Sequence, residues 1–545
     1  MRVLIALSGP VGVGKSSFCE VLKARFDADR FSTRELLLTI GAKREREDLQ
    51  ATGERLDRET DGKWVSDALA RKLSENSPQV IIVDAIRIKK QIDHIRRHFG
   101  DRVRVWHVFI DADDEVLRAR YHNRHSQIGE FTDYDQLQNS ETERAIRSLK
   151  AVADRVVDAS RCEPDSVVAQ AVAGLGLYPL ELDRLVDVVV GGQYGSEGKG
   201  HVCSYLASGY DMLVRVGGPN AGHWAALPEK IKYIQLPSGT AANAKADIVI
   251  GAGATLYLPQ LLKEIGERGL TAVRLSIDPQ AMIIEDADRT YESTHGDAIG
   301  STKQGVGAAT ARKILGRFHP SPIDIPVRLA RDVAELKNFV RPAIPLFEAA
   351  FARGKKVFLE GTQGTDLSLH HGVCPSEDGP IAKGAWPHVT SRDTTASGCL
   401  ADAGIAPGRV RKVIMVTRTY PIRVGGTSGP IAREITYKAI SDRSGVPAEE
   451  IAGTEKGSIS RNPRRIAEFD WEQVRRASSL NGATDIALSF SDYISIENRK
   501  ARQYADLTEE TRHFIEGVER VTNAPVSLIS TRFEPRGIID RRNWL

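Results

Sequence analysis

The sequence predicts an α/β protein built from two parallel-sheet domains. Short apolar strand-like runs alternate with helix-length stretches. Two of those runs, Arg2–Leu7 and Val186–Val190, end in glycine-rich loops of the kind that bind phosphate at a helix N-terminus. The division between domains comes from Gly174-Leu-Gly-Leu-Tyr-Pro-Leu180, two glycines and a proline ahead of a new first strand. The expected boundaries are 1–174 for the first domain, 175–185 for a linker and 186–545 for the second. A chain of 545 residues has room for two or more separate cores.

Composition narrows the function classes. The hydrophobic fraction of 41% and charged fraction of 27% are ordinary for a globular protein. Lys and Arg total 75 against 72 Asp and Glu, a net charge of +3, which argues against a dedicated nucleic-acid binder. Small anionic substrates need only local positive charge. Cys19, Cys162, Cys203, Cys374 and Cys399 are scattered with no C-x-x-C pair, so neither a zinc site nor a disulfide framework is indicated. No apolar run approaches about 18 residues, so no membrane span is expected. The short apolar start leads straight into a phosphate loop, as a first strand and not a signal peptide does. A cytoplasmic setting is expected.

In the first domain, Gly9-Pro-Val-Gly-Val-Gly-Lys-Ser16 is a full G-x-x-x-x-G-K-[ST] match, with a strand before it and a helix over Ser16–Phe26 after it. Gly9, Gly12 and Gly14 open the loop so that its N–H groups ring a β-phosphate. Lys15 reaches the β and γ oxygens, and Ser16 ligates Mg²⁺. Gln79–Val83 is a second strand. Asp84 at its end is placed either to hold a Mg²⁺ water shell or to cap a turn. Val103–Ile110 is a third, followed by a helix opened by the carboxylates of Asp111-Ala-Asp-Asp114. Arg118, Arg120 and Arg124 lie on or just after that helix, either as a solvated basic face or as a lid over a transferring phosphoryl group. The lid reading resembles nucleoside monophosphate kinases, in which Thr33, Arg34 and Glu35 would face the acceptor nucleotide. The first domain is thus expected to be a P-loop nucleotide kinase-like fold.

The second domain opens with Val186–Trp224. Its first glycine-rich loop carries Lys199, a point charge for a phosphate. About one helix and one strand later, Gly217-Gly-Pro-Asn-Ala-Gly-His223 forms a second glycine-rich turn. His223 is then a titratable group beside the anion site, suited to a general acid. The two phosphate loops are not duplicates, because the second lacks the G-K-[ST] ending. Ile231–Ile250 reads as strands and turns, and Pro259–Arg268 as a helix.

Val186–Trp224 resembles adenylosuccinate synthetases, whose members carry G-Q-W-G-D-E-G-K-G-K and then N-A-G-H. The resemblance implies that Gly195, Glu197, Gly198, Lys199 and Gly200 hold the phosphates of a nucleoside triphosphate. It places Ser196 and Gly222 at Mg²⁺, Asn220 and Ala221 at the nucleotide, and makes His223 the acid toward purine O6. The family's aspartate, which removes the N1 proton, is here Ser196, and the Lys after the loop is His201. A serine is no base near pH 7. The change implies either a silent site or a change of substrate. Phage-type 2-aminoadenylosuccinate synthetases resemble the same family, carry a small residue here and act on dGMP, and serine leaves room for a guanine 2-amino group.

Later segments continue the resemblance. Ile299–Ala308 is similar to I-G-T-T-G-R-G-I-G-P, implying that Thr302 binds the 5′-phosphate. An arginine of a neighbouring subunit, Arg312 or Arg317, would complete that site in a homodimer. Phe358-Leu-Glu-Gly-Thr-Gln-Gly-Thr365 is similar to F-E-G-A-Q-G-T, making Gln363 the residue that orients the purine. Trp386–Ser391 is similar to Y-P-Y-V-T-S, making Thr390 a second phosphate ligand after an insertion over Ser376–Ala385. Pro421–Gly426 is similar to S-T-R-V-G-A and puts Val424 near the ribose. The aspartate clamp T-T-G-R-R-R-R becomes Ser458–Ile466, retaining Arg464 and Arg465. The guanine-reading T-K-L-D becomes Ser489-Phe-Ser-Asp492. Asp492 stays while Phe490 replaces the lysine, which implies relaxed base choice with ATP, dATP or GTP as donor. Val526–Arg532 is similar to the terminal I-S-T-G and puts Thr531 at the donor.

The expected function is ligation of L-aspartate to C6 of a purine monophosphate, dGMP favoured, in a chain that also carries a nucleotide kinase-like domain. The alternatives are an IMP-using enzyme and a catalytically silent nucleotide sensor.

Overall fold

The computed structural model describes residues 2–73, 78–123, 134, 138, 140–178, 183–318, 324–374, 383–457 and 462–543. The chain divides into two compact units, Met1–Leu180 and Glu181–Leu545. Among the described residues no helix is long and apolar enough to cross a membrane.

The first unit is built on β1 (Val3–Ser8), β2 (Ala28–Ser32), β3 (Val80–Asp84), β4 (Arg104–Asp111) and β5 (Arg155–Asp158). They form one parallel sheet in the order β2-β3-β1-β4-β5. Every residue of β1 is buried, and its side chains divide by parity. Val3, Ile5 and Leu7 enter one core, Leu4 and Ala6 the other. The phosphate loop leaves the end of β1 and runs into a helix over Lys15–Arg25, one residue earlier than expected. Gly9 is required by contact as well as by its φ of +142°, since a Cβ there would meet the Ile110 carbonyl oxygen at 2.2 Å.

The second unit holds a nine-stranded sheet. Its strands are β6 (Val186–Gly191), β7 (Met212–Arg215), β8 (Asp247–Ile250), β9 (Leu275–Ile277), β10 (Val357–Gly364), β11 (Val410–Arg418), β12 (Asp485–Ser489), β13 (Val526–Ser530) and β14 (Ile538–Asp540). The order is β9-β8-β7-β10-β6-β11-β12-β13-β14, parallel except for the β13–β14 pair. β6 lies at the centre, and the chain continues to one side through β7 and to the other through β11. That reversal leaves a crevice at the C-terminal strand ends, where α/β sheets bind ligands. Val186, Val188 and Val190 join one core and Val189 the other. The helix expected over Pro259–Arg268 spans Leu258–Glu267. A small antiparallel sheet, Ile422–Val424 against Arg464–Ala467 against Glu434–Ile435, stands beside the crevice.

Candidate functional site

The crevice of the second unit is a cavity of about 1130 Å³. The first glycine-rich loop forms one wall. Gly195, Ser196 and Gly198 all have left-handed backbones, with φ of +102°, +57° and +90°. Gly198 caps the helix Lys199–Leu206, so the loop amides and the helix N-terminus face the cavity. Glu197 braces the loop from behind. Its carboxylate accepts from the amides of Gly195 at 2.7 Å and Gln193 at 3.2 Å, and from Lys199 Nζ at 2.6 Å. Burial alone would raise its pKa, but Lys199 and the amides hold it below the ordinary carboxylate range.

His223 sits across the cavity. Its Nδ1 is 2.5 Å from Glu360 Oε1 and its Nε2 is 3.0 Å from the Thr362 carbonyl oxygen. Each ring nitrogen therefore faces an acceptor, a geometry that accommodates a proton on both. Burial, and then the Arg215 guanidinium, nevertheless lower its pKa, against the pull of Glu360. Glu360 also accepts from Arg215 Nη1 at 3.0 Å, from the Ser238 amide at 2.7 Å and from its hydroxyl at 2.6 Å. Burial opposes its ionisation, but Arg215 and His223 bring its pKa down to about 2. Gln363 donates to Asn220 Oδ1 at 2.9 Å and accepts from the Thr362 hydroxyl, linking the second glycine-rich turn to β10.

Of the residues expected at this site, Gly195, Ser196, Glu197, Gly198, Lys199, Gly200, Asn220, Ala221, Gly222, His223, Thr302, Gln363, Thr390, Val424 and Arg464 line the one cavity. Four do not. Arg312 is buried and closes on its own chain, donating to both Asp288 oxygens and to the carbonyls of Ile283 and Pro326. Arg317, the alternative to it, is exposed and donates to the Ile314 carbonyl. Arg465 follows Arg464 in a strand, so it points the opposite way, to the Gly429 carbonyl and Glu434. Asp492 is buried and bound by Arg499 at 2.9 and 3.0 Å. Thr531 is buried and bonds the Gly537 carbonyl. Ser458–Arg461 and most of the insertion over Ser376–Ala385 lie outside the described residues.

The expected site omitted several residues that the structure places beneath it. Glu360 and Arg215 are direct partners across the β10–β7 register, and each is the only charged residue of its strand. That pattern was the available signal. Arg418 and Glu455, both buried, form an ion pair. Arg418 also donates to the Ser196 carbonyl at 3.3 Å, and Arg464 to Glu455 at 3.2 Å.

The first unit has its own cavity of about 510 Å³, lined by Gly12, Gly14, Lys15, Ser16, Thr33, Arg34, Asp84 and Arg120. Lys15 Nζ lies 2.6 Å from the Gly9 carbonyl and 2.8 Å from that of Pro10. Asp84 accepts from Arg30 Nε at 3.0 Å. Arg30 and Arg87 line this cavity too and were not expected there. Arg118 is not part of the lining. It stands 5.4 Å from the Tyr134 ring centre, on the other side of its helix. Glu35 serves the first turn of the helix Thr33–Thr39, where its amide bonds the Ser32 hydroxyl. Arg124 lies outside the described residues.

Residues 188–317 and 325–499 match the family model of adenylosuccinate synthetase, and residues 5–163 match that of an AAA domain. The adenylosuccinate synthetase of Methanocaldococcus jannaschii is 36% identical over 366 residues, 66% of this chain and 97% of that protein. That of Pyrococcus horikoshii is 34% identical over 368 residues, 66% of this chain and 99% of that protein. Among solved structures, the fully ligated Plasmodium falciparum enzyme superposes with a TM-score of 0.55 at 20% identity, over 66% of this chain and 100% of that one. The succinoaminodeoxyadenylate synthetase of cyanophage S-2L, bound to dGMP and to dATP as an energy donor, superposes with a TM-score of 0.54 at 26% identity, over 66% of this chain and 96% of that one.

Proposed function

The chain belongs to the adenylosuccinate synthetase family, and from that premise we propose that its second unit joins L-aspartate to C6 of dGMP at the expense of a nucleoside triphosphate. The observation that carries the choice of dGMP is Ser196 on the cavity wall, where the family's acidic residue would occupy the space a guanine 2-amino group needs. The similarity to the cyanophage enzyme, at 26% identity, supports the same choice.

In this reading the γ-phosphoryl group of the donor passes to purine O6. The aspartate amine then attacks C6, and phosphate leaves with the oxygen. The 195–200 loop amides and Lys199 stabilise charge on the transferring group. His223, held at Nδ1 by Glu360, would donate from Nε2 toward O6 in place of its bond to the Thr362 carbonyl. Gln363, tied to Asn220, orients the base. Arg464 meets a carboxylate of the incoming aspartate. The Ser196 hydroxyl and the Gly222 carbonyl are oxygen donors of the kind that would hold Mg²⁺, which when bound would supply further charge neutralisation. A homodimer belongs to the same reading, but its phosphate-binding arginine is not Arg312.

The first unit would transfer a phosphoryl group to a nucleotide. Lys15 and the loop amides would hold the donor, Ser16 the metal and Arg120 the moving phosphoryl group.

Product analysis by mass spectrometry tests the ligase reading. Purified protein receives L-aspartate, ATP and Mg²⁺ with dGMP, GMP, IMP or dIMP in separate reactions. A succinylated product from dGMP and none from IMP is expected, with Ser196→Asp weakening the use of dGMP. Turnover of IMP alone overturns the choice of substrate.

A further inference from the structure

We propose that Trp224 and Phe533 form the slot for the base of the phosphoryl donor, and that the base is held there by stacking instead of by hydrogen-bonded readout. The proposal rests on the ligase reading of the cavity. Both rings line the cavity and both are unusually open, 42% and 41% exposed. Lys230 marks the space between them. Its ammonium stands 5.3 Å from the Trp224 ring centre and 5.7 Å from that of Phe533, so the two faces border one gap.

The slot is anchored at both sides. Phe533 rests edge-on against His201, with ring centres 5.0 Å apart. His201 is held by the Glu534 carbonyl at 3.0 Å and the Ser530 hydroxyl at 3.3 Å. Trp224 follows His223, and its carbonyl oxygen lies 2.6 Å from where a Cβ on Gly200 would be. The slot therefore begins at the helix turn that carries Lys199. A triphosphate seated on the 195–200 loop would have its base within reach of this end of the cavity.

The carboxylate expected to read guanine is engaged elsewhere through one of its oxygens. Asp492, expected to read guanine, is absent from the cavity wall and its carboxylate is bound by Arg499, which also pairs with Glu450 at 2.6 Å. At the position of the expected lysine, Phe490 presents another ring, with Arg418 4.0 Å from its centre. Every purine has a π-face, so stacking tolerates adenine and guanine alike.

The test uses full-length protein with Lys15→Ala, so that the first unit's phosphate loop adds no nucleotide binding. Non-hydrolysable ATP and GTP analogues are titrated by calorimetry. Trp224→Ala and Phe533→Ala should each weaken both analogues by about tenfold, and Trp224→Phe should retain most of the affinity. In turnover, the donor KM should rise while the KM values for purine monophosphate and aspartate stay put. Unchanged analogue binding, a loss confined to one base, or a loss that falls on the monophosphate would each overturn the slot. The binding arm needs no chemistry. If no ligation occurs but the variants still weaken the analogues, the slot stands and the ligase reading falls.

Discussion

The carboxylate of Glu360 has no route to water. His223, Arg215 and Ser238 occupy its oxygens, and its partner strand supplies the compensating guanidinium at the facing position. Removing the charge leaves Arg215 buried without its ion pair, which costs about 3 kcal/mol. Glu360→Gln is therefore expected to lower stability by that order in urea unfolding. It should also cut kcat by more than it raises any KM, because His223 loses the group that orients it. Ser238→Ala removes one neutral donor and should cost about 1 kcal/mol. Equal losses from the two variants would mean that the buried charge contributes nothing special.

At the scale of elements, strand alternation decides which of two adjacent arginines reaches the cavity. Arg464 faces it and Arg465 faces Gly429 and Glu434. Arg464→Ala should raise the aspartate KM about tenfold or more, whereas Arg465→Ala should leave it unchanged. Steady-state kinetics on the pair separates the two. The glycine loops offer a second contrast. A Cβ on Gly217 would sit 2.0 Å from Thr362 Cγ2, and the Thr362 carbonyl is the partner of His223 Nε2. Gly217→Ala should thus cost about 1–3 kcal/mol and disable ligation, visible as a fall in kcat of folded protein. Gly14, at φ +97°, has nothing within 4 Å of the place a methyl group would take. Gly14→Ala in the first unit should show only backbone strain, about 1–2 kcal/mol, with ligation intact.

At the scale of the molecule, each unit buries a histidine that stays neutral. In the first, His107 lies within 2.7 Å of the Ser8 hydroxyl, and burial lowers its pKa to about 4. In the second, burial does the same for His201, also to about 4. The folded pKa lies below the unfolded value of 6.5, so between pH 6.5 and 4 the unfolded chain binds protons that the folded chain refuses. Stability should be fully present above pH 6.5 and fall as the pH drops toward 4, by about 3 kcal/mol for each histidine. Denaturation midpoints measured across that range check this, and His201→Gln should flatten the slope for the second unit. Glu360 adds a further loss at lower pH, from 4.5 down to about 2.

The α/β class and the strands that carry both phosphate loops are legible in the chain alone, and the family's motifs added most of the residues that line the cavity. The phosphate loops are local features. Glycines at left-handed positions, a lysine and a helix start sit side by side in the chain, and their geometry follows from backbone sterics alone. Only the tertiary structure decided the fate of the isolated charges. Arg312 and Asp492 match ligand-binding positions through the family resemblance, yet the fold pairs them with Asp288 and Arg499 and buries them. Glu360 with Arg215, and Arg418 with Glu455, join segments far apart in the chain. A buried charge must find its counter-charge, and strand register and packing select that partner, not its distance along the sequence.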